Sequence, residues 1–435
     1  MAIITINEEK IIGRIKPLHG VNNFPSLEEW QLNYLKHAGI PYSRLHDTFG
    51  RFGAGEYVDV SNIFKNFDAD ENDPDSYSFE LTDFVVKSLI EKGVQVFYRL
   101  GETIEHTYPI KRIHTKKPKD FSKWARICER IVSHYNDGWA NGFHYNIKYW
   151  EIYCEPEGPA FWEGTKEEYY ELYRLTANLL KEKHPEIQVG GYASCGFYQI
   201  LGVGVATEAN VPADRAQYFI DFFEGFLEYV SAEKTKAPLD FFSWHSYGSV
   251  DQNVLFARYV RTSLDEYGFT ETISIFDEFN PGKRNRGKLI DACLIATNFL
   301  ALQKEPLDML MYYDAQATST YCGMFNPLNG EPFKAYYSFK AFNELYKLKN
   351  EVETQSDDKA LYCVGAKQGD TVAIMIANNS DNDKTVTLKG LQKIDTVNVF
   401  VIDETHEYGA KIYYCDNGNV SVDMERNSIL LLKIN

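Results

Sequence analysis

The 435-residue chain lacks any excess of basic residues: 45 Lys and Arg stand against 62 Asp and Glu, a formal charge of −17. A chain this acidic repels phosphate backbones, and no basic patch interrupts the charge, so no nucleic-acid partner is expected. It has no apolar run of membrane-spanning length, so no membrane helix is expected. The opening MAIITINEEKII has no basic stretch leading into an apolar one, so no signal peptide is expected either. The seven cysteines are odd in number and form no CxxC pair. That speaks against a disulfide framework or a zinc site, and for free thiols in a reducing cytoplasm. No GxGxxG follows a strand and no P-loop occurs, which removes the usual signals of nucleotide binding. What is present is ordinary globular composition, 44% apolar and 25% charged, with abundant aromatics at 15%. Most of those rings belong to a large core, and a few are free to stack on sugar or base faces. Composition leaves a monomer and a homo-oligomer equally open.

Along the chain, short apolar runs alternate with amphipathic stretches. Strands are expected at Ile15–His19, Ile40–Leu45, Val94–Leu100, Ile147–Tyr153, Gln188–Tyr192, Leu239–His245, Ser274–Glu278 and Leu307–Tyr313. Each has the apolar, β-branched or aromatic character of a strand buried on both faces. Helices fall between them. Ser26 with Glu29 and Thr165 with Glu168 have the spacing of capping boxes, and Trp124, Ile127, Cys128, Ile131, Val132 and Tyr135 mark one apolar helical face. Eight such units in alternation predict a (β/α)8 TIM barrel, with a doubly wound open sheet as the alternative. After about Lys349 helical periodicity gives way to short alternating runs separated by turn clusters, as in an antiparallel β-sandwich. The expected domains are a barrel over residues 13–349 and a sandwich over 350–435, joined by residues 1–12, which alternate in the same way.

A barrel of this kind carries its active site at the C-terminal ends of its strands. The fourth strand ends Trp150-Glu151-Ile152-Tyr153-Cys154-Glu155-Pro156, and the seventh ends Phe276-Asp277-Glu278-Phe279-Asn280. A carboxylate placed there is costly to desolvate unless it has a partner or a task. Glycosidic cleavage needs two carboxyls facing one pocket: one protonates the leaving oxygen, and the other attacks the anomeric carbon or activates water. Alone, each Glu reads equally well as a capping or ion-paired residue. The acidic run Asp68–Asp73 lacks the Gly and terminal Glu spacing of an EF-hand and reads as a solvated loop.

The stretch WEIYCEP resembles the WEIWNEP-type motif of clan-A retaining glycosidases. Phe161-Trp162-Glu163-Gly164-Thr165, the run around Glu168–Tyr173, Val189-Gly190-Gly191, His19–Asn23, Ser243–Tyr247 and Asp277–Asn280 resemble glycoside hydrolase family 39, which includes β-xylosidases and α-L-iduronidases. The resemblance implies that Glu155 is the general acid/base and Glu278 the nucleophile of a double displacement. It implies that Tyr247 hydrogen-bonds the nucleophile, that His245 lies on the substrate side, and that Arg44 keeps the nucleophile ionised. His19 and His46 are candidate ligands for sugar hydroxyls, and Trp162 and Tyr312 (or Tyr313) candidate aromatic walls. The chemistry calls for no metal and no organic cofactor. Two departures stand out: Cys154 replaces the Asn that the family places before its acid/base, and the eighth strand ends Tyr312-Tyr313 where relatives often have Trp.

The expectation is therefore a cytoplasmic retaining glycosidase acting on short oligosaccharides or glycosides, with β-xylosidase first and α-L-arabinosidase as the nearest rival. A carbohydrate-binding protein with a decayed site, for which Cys154 speaks, is the alternative of another class. A metal-dependent barrel enzyme needs a ligand set that His19, His46 and His245 do not make.

Overall fold

In the computed structural model, residues 1–23, 29–48, 57–103, 117–158, 161–202, 213–392 and 395–434 are described. The chain opens with strand β1 (Ala2–Arg14) and then builds eight parallel strands: β2 (Gly20–Asn22), β3 (Tyr42–Leu45), β4 (Gln95–Leu100), β5 (Tyr149–Ile152), β6 (Gln188–Ser194), β7 (Phe241–Ser246), β8 (Ile273–Phe279) and β9 (Met309–Tyr312). These pair in chain order and close, β9 back onto β2, into the expected (β/α)8 barrel. The helices are α1 (Glu29–Ala38), α2 (Val60–Ile63), α3 (Glu80–Glu91), α4 (Phe121–Asn136), α5 (Lys166–Lys183), α6 (Ala213–Ser231), α7 (Val250–Glu266), α8 (Leu289–Leu302) and α9 (Lys334–Leu348). Thr165 and Glu168 cap α5 reciprocally, and Ser249 and Gln252 do the same for α7. Ser26, the other expected cap, lies outside the described residues.

The first barrel strand is not where the apolar run put it. Residues 15–19 form an irregular lead-in, because Pro17 has no N–H to give to a ladder, and the strand is the short Gly20–Asn22. This moves His19 to the N-terminal side of the barrel and Asn22 to its C-terminal rim.

Side chains alternate across each strand, so one set fills the barrel axis. Its lower layer is apolar: Phe97, Tyr149, Phe241, Ile275, Met309 and Met311 pack together. Two residues further along the same strands stand Arg99, Glu151, Ser243 and Asp277, all fully buried. On β8 the register slips: Trp244 pairs with Phe276 but His245 with Glu278, so Asp277 is an extra residue. Such a bulge lets two consecutive residues, Asp277 and Glu278, both reach the axis.

The second sheet comprises β10 (Asn350–Ser356), β11 (Leu361–Gln368), β12 (Thr371–Asn378), β13 (Lys384–Lys389), β14 (Thr396–Ile402), β15 (Glu407–Tyr414), β16 (Asn419–Met424) and β17 (Ile429–Ile434), with β1 between β10 and β13. It is one continuous sheet of order β15-β14-β17-β12-β11-β10-β1-β13-β16, antiparallel except for the β1–β13 pair. Side chains from both halves, among them Ile4, Val352, Val386, Val399, Val422 and Leu432, gather in one cluster, so the sheet folds over its own core. On β12, Val372, Ile374 and Ile376 enter that core, while Ala373, Met375 and Ala377 join the cluster of the barrel and its helices. No described helix is long and apolar enough to cross a membrane.

Candidate active site

The barrel mouth is built around Arg44 at the end of β3. Its guanidinium is fully buried and reaches Glu151 at 2.7 Å, Asp277 at 2.9 Å and Glu278 at 3.4 Å, with further hydrogen bonds to Asn22 Oδ1 at 3.0 Å and Cys154 Sγ at 3.3 Å. One cation thus serves three carboxyls. Burial pushes Glu151 up to about 8, with Asp277 adding to the effect. Burial also works to raise Asp277, but Arg44 and His245 outweigh it and hold that carboxyl below its ordinary range.

Glu155 follows β5 on a backbone that passes through left-handed conformations at Tyr153 (φ 71°) and Glu155 itself (φ 47°). Such angles are uncommon for non-glycine residues and cost of order 1–3 kcal/mol each. Here the Glu155 amide is held by the carbonyls of Tyr192 at 3.1 Å and Ala193 at 3.2 Å, on β6. Its Oε1 meets His245 Nδ1 at 2.7 Å. The other face of the His245 ring looks at Glu278 Oε2, 3.4 Å from Nε2, and Asp277 Oδ1, 3.6 Å away. Tyr247 donates its hydroxyl to Glu278 Oε1. Burial raises Glu278 to about 7, with the charge of Glu155 adding, against the pull of His245, Arg44 and Tyr247. The pull expected of Arg44 is present, but desolvation outweighs it.

Glu155, His245 and Glu278 present ligand atoms that all lie within 4.8 Å of one another. Burial works to lower the His245 pKa, but Glu278 and Asp277 outweigh it and hold it well above the usual value, so the ring is an imidazolium that donates to the carboxyls on either side. The arrangement places two carboxyls across a gap of one small group, with a cation bridging them.

The Cys154 thiol is fully buried between Arg44 and His46, whose Nε2 lies 3.5 Å from Sγ. His46 Nδ1 accepts from Arg99 Nε at 3.3 Å, so the ring proton sits on Nε2, facing Asp47 Oδ2 at 3.1 Å. Burial pushes the thiol well above its ordinary pKa and brings His46 down to about 4, so both are neutral near pH 7 and no thiolate–imidazolium pair forms. Arg99 also pairs with Asp59 at 2.7 Å and is a salt-bridged wall residue. The acidic run is tied down by basic side chains, with Asp68 on Lys119 and Glu71 on Lys123 and Arg126.

Of the residues singled out in the sequence, the structure brings together Arg44, His46, Cys154, Glu155, His245, Tyr247 and Glu278. It does not bring His19, Trp162 or Tyr312 to them. His19 packs among Phe342 and Tyr346 and bonds the Gly39 carbonyl, on the N-terminal side of the barrel. Trp162 donates to the Thr165 carbonyl and packs edge-on to Tyr153 and Tyr169, a core position. Tyr312 faces the helices, against Phe279 and Phe339, while Tyr313 bonds Asp47 with its hydroxyl at 2.9 Å. Sequence reasoning missed Asn22, Glu151, Asp277 and Glu157. For Glu151 and Asp277 a signal existed: a charge inside a strand buried on both faces needs a partner.

Residues 28–264 match the profile of Glycosyl hydrolases family 39. A protein of Caldicellulosiruptor saccharolyticus named beta-xylosidase is 24% identical over 92% of this chain and 85% of its own length. Among solved structures, a glucosidase from Croceicoccus marinus superposes with a TM-score of 0.78 at 20% identity, covering 100% of this chain and 98% of the other. A monomeric beta-xylosidase from Caulobacter crescentus CB15 superposes with a TM-score of 0.72 at 17% identity, covering 100% and 99%. At these identities the two structures establish the shared fold.

Proposed function

The chain belongs to family 39 of the glycosyl hydrolases, and we propose that it is a retaining exo-β-xylosidase acting on short xylo-oligosaccharides or xylosides. Glu278 is the nucleophile and Glu155 the general acid/base. In the first step the Glu278 carboxylate attacks the anomeric carbon while Glu155 gives its proton to the departing glycosidic oxygen. In the second, water attacks the same carbon, Glu155 takes a proton from it, and the bond to Glu278 breaks to free the sugar. His245, charged and between the two, holds both carboxyls in place. Tyr247 fixes the attacking oxygen of Glu278, and Arg44 limits how much negative charge the cluster must carry. His46 and Cys154 line the sugar side.

The observation that carries this reading is the closeness of the pair. Oxygens of Glu155 and Glu278 lie within 4.8 Å. A retaining pair sits about 5–5.5 Å apart, whereas an inverting pair needs roughly 6.5–9.5 Å to admit water. The relative from C. saccharolyticus supports a pentoside. An α-L-arabinoside is the rival within the same chemistry, and a glucoside is the reading favoured by the C. marinus neighbour. A binding protein without turnover is favoured only by Cys154.

Hydrolysis of a panel of aryl glycosides by wild type and Glu278→Ala, with azide added to the variant, tests the reading. Turnover of one pentoside, lost in the variant and restored by azide as the glycosyl azide of inverted configuration, is expected. Turnover of no pentoside, hexoside or uronide by wild type sinks it and favours the binding protein.

The same reading places the protein in the cytoplasm, where its seven free thiols persist. It divides the chain into a catalytic barrel of residues 13–349 and a sandwich of 350–435 completed by 1–12, as the pairing of β1 with β10 and β13 supports. Whether it works as a monomer or a homo-oligomer is decided by sedimentation at working concentration.

A further inference from the structure

The face that the C-terminal sheet turns to the barrel runs in two rows. On β11 the row is Ala366, Val364 and Tyr362, and on β12 it is Ala373, Met375 and Ala377, with Tyr362 paired to Ala377. All of these are buried except Tyr362, which is half-covered. Two residues past Ala377, the same period of the chain brings Asn379. Both rows thus turn from apolar to polar at the same end, and there the sheet and the barrel do not close on each other. They leave a cavity of about 450 Å³ at the C-terminal ends of β7 and β8. Its walls include Tyr362 and Asn379 from the sheet, Asp251 and Gln252 from the first turn of α7, Asn285 from the loop after β8, and Tyr247. Tyr247 also donates its hydroxyl to Glu278, so one residue belongs both to the catalytic site and to this cavity.

A contact that only braced the barrel would be close-packed and apolar to its edge. These walls are of another kind. Phenol rings suit the C–H faces of a sugar, and amides and a carboxylate suit its hydroxyls, each of which donates and accepts. The groups are also unspent: among the described residues the Tyr362 hydroxyl, the Asn379 side-chain amide and the Asp251 carboxyl make no hydrogen bond or ion pair. Asn379 is held out by a fixed turn. The neighbouring Asn378 Nδ2 donates to the carbonyls of Asn382 at 3.0 Å and Glu425 at 2.9 Å, and the Asn379 backbone amide donates to the Ala360 carbonyl at 2.9 Å. Groups fixed in this way bind with little ordering cost. The volume falls within the roughly 300–1,000 Å³ of small-molecule sites, which favour the junctions between domains.

We infer that this cavity holds the leaving-group sugars of the substrate, with Tyr362 and Asn379 binding xylose units beyond the bond cut between Glu155 and Glu278. This rests on the glycosidase reading above and deepens it: the C-terminal sheet takes part in binding, and the preferred substrate is a xylo-oligosaccharide of three or more units. The one charged lining residue is Asp251, so the cavity takes neutral chains and repels uronate-bearing ones.

The test compares xylotetraose with xylobiose. In Tyr362→Ala the ratio of kcat/KM on the longer substrate to that on the shorter is expected to fall about tenfold, and in Asn379→Ala about fivefold, from lost ring contact and lost hydrogen bonds. Val364→Ala, next along the β11 row and buried outside the cavity, loosens the contact between sheet and barrel and should leave the ratio in place. The same substitutions in Glu278→Gln are titrated with xylotetraose by calorimetry, where Tyr362→Ala should raise Kd about tenfold. A ratio unmoved in both Tyr362→Ala and Asn379→Ala overturns the proposal, and so does an equal fall in Val364→Ala. Where wild type cleaves no xyloside and the assigned activity fails, calorimetry decides alone. Xylotetraose binding weakened by Tyr362→Ala then upholds the cavity as a saccharide site, and binding that is absent or unmoved overturns it.

Discussion

Arg44 is the side chain on which the site depends most, and its removal gives a prediction with a sign and a size. In Arg44→Met a flexible apolar chain of similar length replaces the guanidinium, leaving Glu151, Asp277 and Glu278 with no cation from β3. Removing one partner of a buried ion pair costs about 3–5 kcal/mol, against a total stability of about 5–15 kcal/mol for a domain. The variant therefore folds with little margin. The cost depends on pH. The carboxyls can shed unpaired charge by binding protons, and Asp277, now held below its ordinary range, becomes one that retains a proton. Above the unfolded carboxylate pKa the unfolded chain holds no such protons while the folded variant holds one more than wild type. Stability then falls with rising pH more steeply in the variant, by about 1.4 kcal/mol per pH unit for each extra proton. Urea unfolding of both proteins at mildly acidic and mildly alkaline pH measures this. The stability gap should widen toward alkaline pH, and the acid limb of kcat/KM should move upward as Glu278 becomes harder to ionise. A gap of the same size at both pH values would refute the view that Arg44 lowers the proton affinity of these carboxyls.

Two further variants probe the site and its support. In Cys154→Asn the new carbonyl can accept from the Arg44 guanidinium that now donates to sulfur at 3.3 Å, while its amide turns to the sugar. One added hydrogen bond of about 1 kcal/mol predicts a gain of roughly fivefold in kcat/KM, and a fall instead would mean the pocket is shaped to the thiol. Asp291, at the start of α8, is buried, and burial raises it from 3.8 to about 7. Its contribution is complete below the unfolded pKa and is lost as pH rises through the folded one, so Asp291→Asn should raise Tm at pH 8 more than at pH 4. Equal shifts at the two pH values would show that the carboxyl titrates normally.

The parts of this molecule legible in its sequence are those where one physical demand acts alone. A strand buried on both faces must be apolar, so seven of the eight barrel strands announce themselves, and Glu155 and Glu278 stand out at their ends. Where two demands compete, the reading slips. Ile15–His19 is apolar enough for a strand, but Pro17 cannot donate to a ladder, so the strand starts at Gly20 and the rim residue is Asn22 rather than His19. On a strand apolar on both faces, nothing local distinguishes inward from outward. Met309 and Met311 take the axis and turn Tyr312 to the helices. The bulge that brings Asp277 and Glu278 to one side is set by pairing with β7, which no local pattern records.

Buried charge obeys a stricter rule than apolar pattern, and it points to what was missed. A guanidinium cannot enter a barrel axis alone. Arg44 on β3 therefore required carboxyls on facing strands, and the only acidic side chains within β5 and β8 are Glu151, Asp277 and Glu278, all three of which it contacts. The same rule applied to Arg99 on β4 leads to Asp59, which lies before α2 and outside every strand, so there the partner is found only in three dimensions. Glu157 escapes the rule because its neighbours are acids rather than cations, so no complementary charge elsewhere in the sequence points to it. Its two donors are a hydroxyl and a backbone amide, groups that carry no charge to match. A buried carboxyl with no cation to account for it is legible only once burial is known, and at a barrel mouth it is then the group whose chemistry most needs explaining.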